Sequence, residues 1–348
     1  MKLQLPALSA VALTTLTLTT AWGLPNHSNS LSFAWVWLLF MVVTALPLSF
    51  IEAAIVRRTT HLPLQGLASI TRDADAPTFW RILAPLSLLS LVAMIAFAVN
   101  RSAQGFVIDN HNIVTAQAFP YLLVFLAMGF AWVGMKRLLP FVWILVPAVL
   151  IFNVVSAGQL GTLALLTPEE WQQVATAAIL ANLSSLGVYA WLTTQHLADE
   201  HASRLVMPLW LTQTLVGLAT ILAGEAKGNV GVVVYMLTAV FACAIFAEVV
   251  ARQLQDRKVA KPVALGLVMV SAVGLTVAAE FVVFDTVLKV VSLLTVFGLS
   301  VLVGWVMKIS HARKALNFSS EAIYNLWRVG VRIAAPAVII WLLVGMVL

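Results

Sequence analysis

The sequence predicts an all-α integral membrane protein with about eleven transmembrane helices. Of its 348 residues, 61% are apolar and only 10% are charged, and the mean hydropathy is +0.99. Soluble proteins carry roughly 25% charged residues, so a water-soluble globule is excluded. A spanning helix needs about 20 apolar residues. Segments of that kind lie near residues 6–24, 32–56, 82–106, 117–134, 139–158, 171–195, 205–223, 229–251, 262–280, 284–308 and 330–348.

The basic residues indicate how these spans are oriented. With a cytoplasmic N-terminus, 17 of the 20 lysines and arginines fall on the cytoplasmic side. The opposite side receives Arg101 and Lys227, and Lys289 lies within a span. This is a strong positive-inside signal. We therefore expect a multi-pass protein of the inner (plasma) membrane with its C-terminus outside. The bilayer accounts for the net charge of +6 without a nucleic-acid partner.

Two further features limit the class of protein. Residues 6–24 have a second interpretation as a signal peptide after Lys2, although Ala21-Trp22-Gly23 is a weak cleavage site and the segment is long for that role. Cys243 is the only cysteine and lies in an apolar run, which excludes a disulfide framework and a cysteine-based metal site. No metal spacing and no nucleophile–base arrangement is visible, so an enzyme is not expected.

Polar and glycine-containing interruptions fall in the first and sixth spans. Span 1 carries five threonines and closes with Gly23 and Pro25, and span 6 carries Asn182 and Gly187. The interruptions are five spans apart, and paired discontinuous helices are typical of inverted-repeat transporters. We expect one transporter domain over 1–348, with repeats at about 6–158 and 171–308 and an extra helix at about 330–348. The alternative is that these small polar residues only pack helices together.

Short motifs at these positions resemble the neurotransmitter:sodium symporter family. Leu46-Pro47-Leu48 followed by Glu52 is similar to the family's Gly-x-Pro-Leu-x-x-x-Glu in helix 2. It follows Trp22-Gly-Leu-Pro25 at nearly the distance seen after the family's Trp-Arg-Phe-Pro. Leu183-Ser-Ser-Leu-Gly187 resembles the Leu-Ser-x-Gly break of family helix 6. The resemblance covers nearly all of the chain and implies the leucine-transporter fold, an inverted 5+5 repeat with helices 1 and 6 discontinuous.

Three later segments are also similar to the family. Glu248 with Asp256 resembles the end of helix 8, Asp285 resembles an acidic residue opening helix 10, and Tyr324 to Pro336 resembles the entry into helix 11. The resemblance gives Asp256 and Asp285 gate or coupling roles.

Departures from the family pattern concern sodium and substrate. Thr17–Thr20 stands where the family has Gly-x-Gly-Asn, Gly23 replaces its outer-gate arginine, and Ala96 replaces a tyrosine that caps the substrate. Phe241 and Ala242 replace a Thr-Ser pair of sodium ligands. Because a sodium ion needs several oxygens, the resemblance implies that sodium coupling is lost or reduced. A proton is the alternative coupling ion, and no other cofactor is expected.

Ionisable residues inside the membrane cost about 2.5–3.5 kcal/mol each and are candidates for function. The resemblance gives Glu52 a structural role beside the helix 6 break, with proton carriage as the alternative. Glu248 is expected to pair with Arg252, one turn further along. Asp285 and Lys289 are spaced i, i+4, and we expect Lys289 to replace the missing outer-gate arginine; a purely local ion pair is the alternative.

The expected function is secondary transport of an amino acid or related small solute by alternating access. A degenerate member that acts as a sensor or partner subunit is the alternative. The monomer or homodimer, and any partner protein, are left open. Replacement of the capping tyrosine by Ala96 predicts a bulkier substrate. The gate or coupling candidates are Glu52, Asp256, Asp285 and Lys289. The substrate-binding candidates are Thr15, Thr17, Thr19, Asn182 and Ser185, with an apolar wall of Val92, Ala96, Val188, Ala242 and Phe246.

Overall fold

The computed structural model describes residues 5–26, 28–110, 113–157, 161–184, 201–224 and 228–346, with only the backbone described at 105–110, 113–117, 157, 183–184 and 228–229. These residues form helices and short connections. The helices are α1 Leu5–Ala21, α2 Ser30–Thr59, α3 Pro63–Asp73, α4 Leu83–Asn110, α5 Ile113–Val133, α6 Met135–Ala157, α7 Pro168–Ser184, α8 Ala202–Ala223, α9 Gly228–Asp256, α10 Lys261–Ala278, α11 Val283–Val306, α12 Ile309–Leu316 and α13 Glu321–Gly345.

Most of these helices are membrane spans. Among the described residues, eight are long and apolar enough to cross a bilayer, namely α2, α4, α6, α8, α9, α10, α11 and α13. Helices α1 and α5 coincide with predicted spans 1 and 4, and α7 covers the first part of predicted span 6. The remainder of span 6, with the predicted break at Gly187, lies outside the described residues. The chain is therefore a multi-pass helical membrane protein, while the count of eleven spans and the inverted repeat stay predictions.

Helix α1 lies at the centre of the bundle. It packs against α6, α7, α8 and α9, and 15 of its 17 residues are buried. A helix buried on all sides needs no polar face, which is why its sequence lacks helical amphipathicity. Around it, α4 packs along α9, and both contact α5 and α10.

The prediction that helix 1 is discontinuous is wrong, because α1 is one unbroken helix. Gly23 and Pro25, which suggested a break, lie beyond its end. Gly23 has a φ of +71°, a left-handed conformation that suits glycine, and terminates the helix. The threonine hydroxyls bond back to carbonyls of their own helix, as Thr14 does to Val11 (3.1 Å) and Thr19 to Thr15 (2.8 Å). Such bonds add to the helical ladder and do not replace it.

Three spans contain a π-helical turn. These turns lie at Met41–Ala45 in α2, Leu302–Val306 in α11 and Gly330–Ala334 in α13. In α2 and α13 the turn ends two residues before a proline, Pro47 or Pro336. A proline has no N–H and its ring clashes with a carbonyl one turn back, so the wider turn accommodates it within the span. The π turn of α13 contacts those of both other helices.

A fully buried tryptophan joins α2 to α8. The Nε1 of Trp37 donates to the carbonyl oxygen of Thr214 (3.2 Å), and the indole lies directly over Gly217. A Cβ at Gly217 would overlap the indole ring. This close approach therefore requires glycine at position 217.

Gly217→Ala is expected to destabilise the fold by about 1–3 kcal/mol, because the buried indole has no space into which it can move. Labelling of Cys243 during thermal unfolding in detergent measures this, since that thiol is fully buried. Gly274→Ala on α10 is the matched control, because a Cβ there meets nothing within 4 Å. Equal unfolding temperatures for the two variants would contradict this account.

Candidate functional site

The candidate site is built around the last described turn of α7. Its last described side chain, Asn182, is buried, and its Oδ1 lies 2.9 Å from the hydroxyl of Ser49 on α2. From α8, the Nε2 of the fully buried Gln213 donates to the carbonyl oxygen of Ala181 (3.2 Å). In hydrocarbon, polar groups must find their hydrogen-bond partners within the protein. Two neighbouring helices thus bond to this turn of α7, Gln213 to a backbone carbonyl and Ser49 to a side chain.

A small cavity adjoins this point. It has a volume of about 20 Å³, enough for roughly one water molecule. Glu52, which is 2% exposed, lines it with Ser49 and Asn182. Val296 and Leu299 of α11 contribute the apolar part of the wall. The structure therefore places Glu52 beside the last described turn of α7, while the break beside which the resemblance places it lies outside the described residues.

The start of α7 is fixed by a capping box. The Thr167 N–H donates to Oε2 of Glu170 (2.8 Å), and the Glu170 N–H donates to Oγ1 of Thr167 (3.3 Å). Hydrogen bonds from its own backbone N–H and from Thr167 lower the pKa of the Glu169 carboxyl. Negative charge at a helix N-terminus is favourable, so Glu169 stabilises this end of α7.

One face of α11 joins the predicted gate pair to the cavity. Asp285, Lys289, Ser292, Val296 and Leu299 follow one another at intervals of three and four residues, so they share a face. The Nζ of Lys289 lies 2.6 Å from Oδ2 of Asp285, which confirms the predicted pairing. The face extends over about 21 Å from the pair to the Glu52 cavity.

Five buried polar atoms on or next to α1, α7 and α11 have no hydrogen-bond partner among the described residues. They are Oγ1 of Thr15 on α1, Nε1 of Trp22 just after α1, Oγ1 of Thr176 on α7, and Oδ1 of Asp285 and Oγ of Ser292 on α11. Helix α7 packs against both α1 and α11, and Gln173 of α7 donates to the carbonyl oxygen of Trp22 (2.9 Å). Buried polar atoms without a protein partner indicate a place for water or a ligand.

The other predicted pocket residues occupy two places. Thr17 and Thr19 are buried on α1, and the Thr17 hydroxyl donates across to the Thr238 carbonyl of α9 (3.4 Å). The predicted apolar wall lies on the two helices that pack together, with Val92 and Ala96 on α4 and Ala242 and Phe246 on α9, all buried. Ser185 and Val188 lie outside the described residues.

The acidic residues of α9 bond to connections at one end of the bundle. Oδ2 of Asp256 accepts the N–H of Leu62, just before α3 (3.3 Å), and lies 3.8 Å from Nδ1 of His61. Oε2 of Glu248 accepts the N–H of Met135, the first residue of α6 (2.6 Å). Its other oxygen lies 3.7 Å from Arg252, as predicted. Asp256 and Glu248 thus satisfy helix N-termini, which the sequence analysis did not predict.

Sequence reasoning missed Ser49, Gln213, Thr176 and Ser292. The candidates were the ionisable residues of the spans and the polar residues around the interruptions in spans 1 and 6, and these four side chains belong to neither group. Gln213 carried a usable signal, because a glutamine in an otherwise apolar span must find hydrogen-bond partners. A serine or threonine gives no such signal, since its hydroxyl can bond within its own helix.

The described residues form a multi-pass helical membrane protein with buried polar side chains in its interior. No protein-family model matches the chain, and neither does any curated protein. Among solved structures, the chain is similar to MhsT in complex with L-phenylalanine, with 14% sequence identity, a TM-score of 0.70 and 99% of each chain covered. MhsT is a neurotransmitter:sodium symporter family transporter with the leucine-transporter fold. The likeness shows that the present chain shares this fold.

Ser49→Ala is expected to lower stability by about 0.6–2 kcal/mol, because it removes the bond that ties the end of α7 to α2. Thermal unfolding followed by Cys243 labelling provides the measurement. Ser87→Ala is the control, because the Ser87 hydroxyl is also buried but bonds only to Ala84 of its own helix (2.8 Å). A loss no larger than that of the control would contradict the role given to Ser49.

Proposed function

We propose that this protein is a secondary transporter that moves an amino acid or a related small organic solute by alternating access. The observation that carries the proposal is the set of buried polar atoms on and next to α1, α7 and α11 that have no hydrogen-bond partner among the described residues. A purely structural bundle in lipid gains nothing from such atoms, because each costs free energy unless water or a ligand satisfies it. Polar sites between helices are where transporters bind their solutes.

The class of solute follows from the chemistry of this interior. Among the described residues, the predicted pocket positions supply hydroxyl groups and apolar surface and no arginine. A zwitterionic solute can bind such a surface through hydroxyls and helix termini while its side chain meets the apolar wall. Alanine at position 96, where the resembled family has a capping tyrosine, is the basis for proposing a bulky side chain on the solute. That MhsT was solved with L-phenylalanine supports this choice of solute.

Loss or reduction of sodium coupling is part of the proposal. Phe241 packs against Phe130 with ring centroids 4.8 Å apart, and Ala242 is fully buried, so neither offers an oxygen. The unbroken α1 holds its interior carbonyls within the helical ladder. A sodium ion needs several oxygens that are free to turn toward it. These positions do not supply them.

Large hydrophobic amino acids, with L-phenylalanine first, are expected to raise the unfolding temperature equally in sodium and in potassium. A ligand that binds only the folded state stabilises it by mass action, by about 2.7 kcal/mol at 100 times its Kd. The measurement is thermal unfolding of the purified protein against amino acids and amines in each cation. D-Phenylalanine and glycine serve as solute controls.

Each other outcome of this experiment has a definite meaning. A shift that requires sodium would contradict the argument about the missing oxygens. Tight binding of glycine or alanine alone would contradict the bulky substrate. No shift with any solute would favour the alternative of a non-transporting sensor or partner subunit.

Thr15→Val tests the unpartnered hydroxyl directly. Valine replaces a buried hydroxyl that has no described partner by a methyl group of similar shape, so stability without solute should be unchanged or higher. The rise in unfolding temperature caused by the solute should become smaller, corresponding to a loss of about 0.5–1.5 kcal/mol of binding free energy. Thr14→Val is the control, because the Thr14 hydroxyl bonds to Val11. An unchanged solute response in Thr15→Val would remove this residue from the site.

A further inference from the structure

Two arginines lie one turn apart on the exposed side of α13. Arg328 and Arg332 are both partly exposed. The apolar side chains between and beside them face outward, with Leu326 75%, Val329 52% and Ile333 61% exposed. In a transmembrane helix such side chains face lipid, so the two guanidinium groups border the bilayer.

Arg332 lies inside the apolar span of α13. It is 11 residues, or about 17 Å, beyond Glu321, the first residue of the candidate span Glu321–Gly345. Its side chain is long enough to extend to the headgroups on that side of the bilayer. By the predicted topology, this is the cytoplasmic leaflet.

Contacts with α11 hold the Arg332 side chain in place. Its Nε donates to the carbonyl oxygen of Gly304, which lies in the π turn near the end of α11. Its guanidinium carbon lies 4.7 Å from the ring centroid of Trp305, which is 59% exposed. These contacts use one N–H group and one face of the guanidinium. Its terminal amino groups are left to bind an anion.

The protein supplies no anion of its own at this point. In the described part of the chain, no carboxylate lies within salt-bridge distance of Arg328 or Arg332. Acidic residues of the same region pair elsewhere, Glu321 with Arg313 (3.3 Å) and Asp75 with Lys308 (3.8 Å). Like charges one turn apart repel, and a charge at this depth is costly without a counter-charge.

We propose that Arg328, Arg332 and Trp305 form a binding site for the phosphate headgroup of an anionic phospholipid in the cytoplasmic leaflet. One guanidinium group can donate two parallel hydrogen bonds to two oxygens of a phosphate. Basic pockets between membrane spans bind anionic lipid headgroups. An indole at the interface packs well against the lipid beside its headgroup. The site lies on the outer surface of the bundle and does not depend on the transport proposal.

The test measures lipid-dependent stability of the full-length protein in neutral detergent. Added dioleoylphosphatidylglycerol should raise the unfolding temperature, and dioleoylphosphatidylcholine should raise it less. The double variant Arg328→Gln/Arg332→Gln should bind phosphatidylglycerol about 25-fold more weakly, about fivefold for each arginine. Arg72→Gln/Lys314→Gln is the matched control, because both side chains are exposed cations of the predicted cytoplasmic side and it removes the same charge.

Two further measurements test whether the bound anion is a lipid. Inorganic phosphate at the same concentration should give no rise, and an equal rise would overturn the assignment to a lipid. Native mass spectrometry should show fewer bound phosphatidylglycerol molecules on Arg332→Lys than on the wild type, because lysine keeps the charge but lacks the planar guanidinium. This variant replaces the double variant in the test if the double variant does not fold. An equal phosphatidylglycerol response of the double variant and the wild type would overturn the proposal, as would equal responses to the two lipids.

Discussion

A backbone carbonyl that is released inside hydrocarbon must find a donor on another helix, and this constraint shapes the bundle. Trp210 donates to Met41 at the π turn of α2 (2.8 Å), and Ser300 donates to Val331 at the π turn of α13 (2.6 Å). Gln213 also donates to a carbonyl of another helix, that of Ala181 in the last described turn of α7 (3.2 Å). Each bond joins two helices, so the irregular points of the spans are also the points at which the helices are fixed to one another. Apolar packing alone does not specify these positions, because lipid tails are as apolar as the helix faces.

The same constraint explains the straight course of α1. A break at its centre would release carbonyls and N–H groups against four neighbouring helices. The sequence of α1 instead provides threonines, whose hydroxyls add polarity while the ladder stays complete. Polar chemistry in α1 therefore comes from side chains such as Thr15, and not from freed backbone. This differs from the discontinuous helix that the family resemblance implies, and it changes which ligands α1 can hold.

Composition and spacing predicted the features that depend on short-range rules. The spans follow from apolar length, and the pairs Asp285–Lys289 and Glu248–Arg252 follow from i, i+4 spacing. The break in α1 was predicted wrongly, because Gly23 weakens a helix only if it lies within one. The partnership of Ser49 with Asn182 was not predictable, since 133 residues separate them and a serine in a span usually bonds to its own helix. A proline indicates an irregular span, but whether a π turn or a kink results depends on donors that other helices supply.

In the transport proposal, the distribution of carboxylates bears on how transport is coupled to an ion gradient. Asp285 is neutralised by Lys289, and Glu248 is held by a helix N-terminus and Arg252. Glu52 lines the cavity beside the last described turn of α7, which has room for about one water molecule. A carboxylate in this position changes its charge when it is protonated, and it lies where α7 is bonded to α2. In that proposal, Glu52 is therefore the carboxylate through which a proton, the alternative coupling ion, would act on the contact between these two helices.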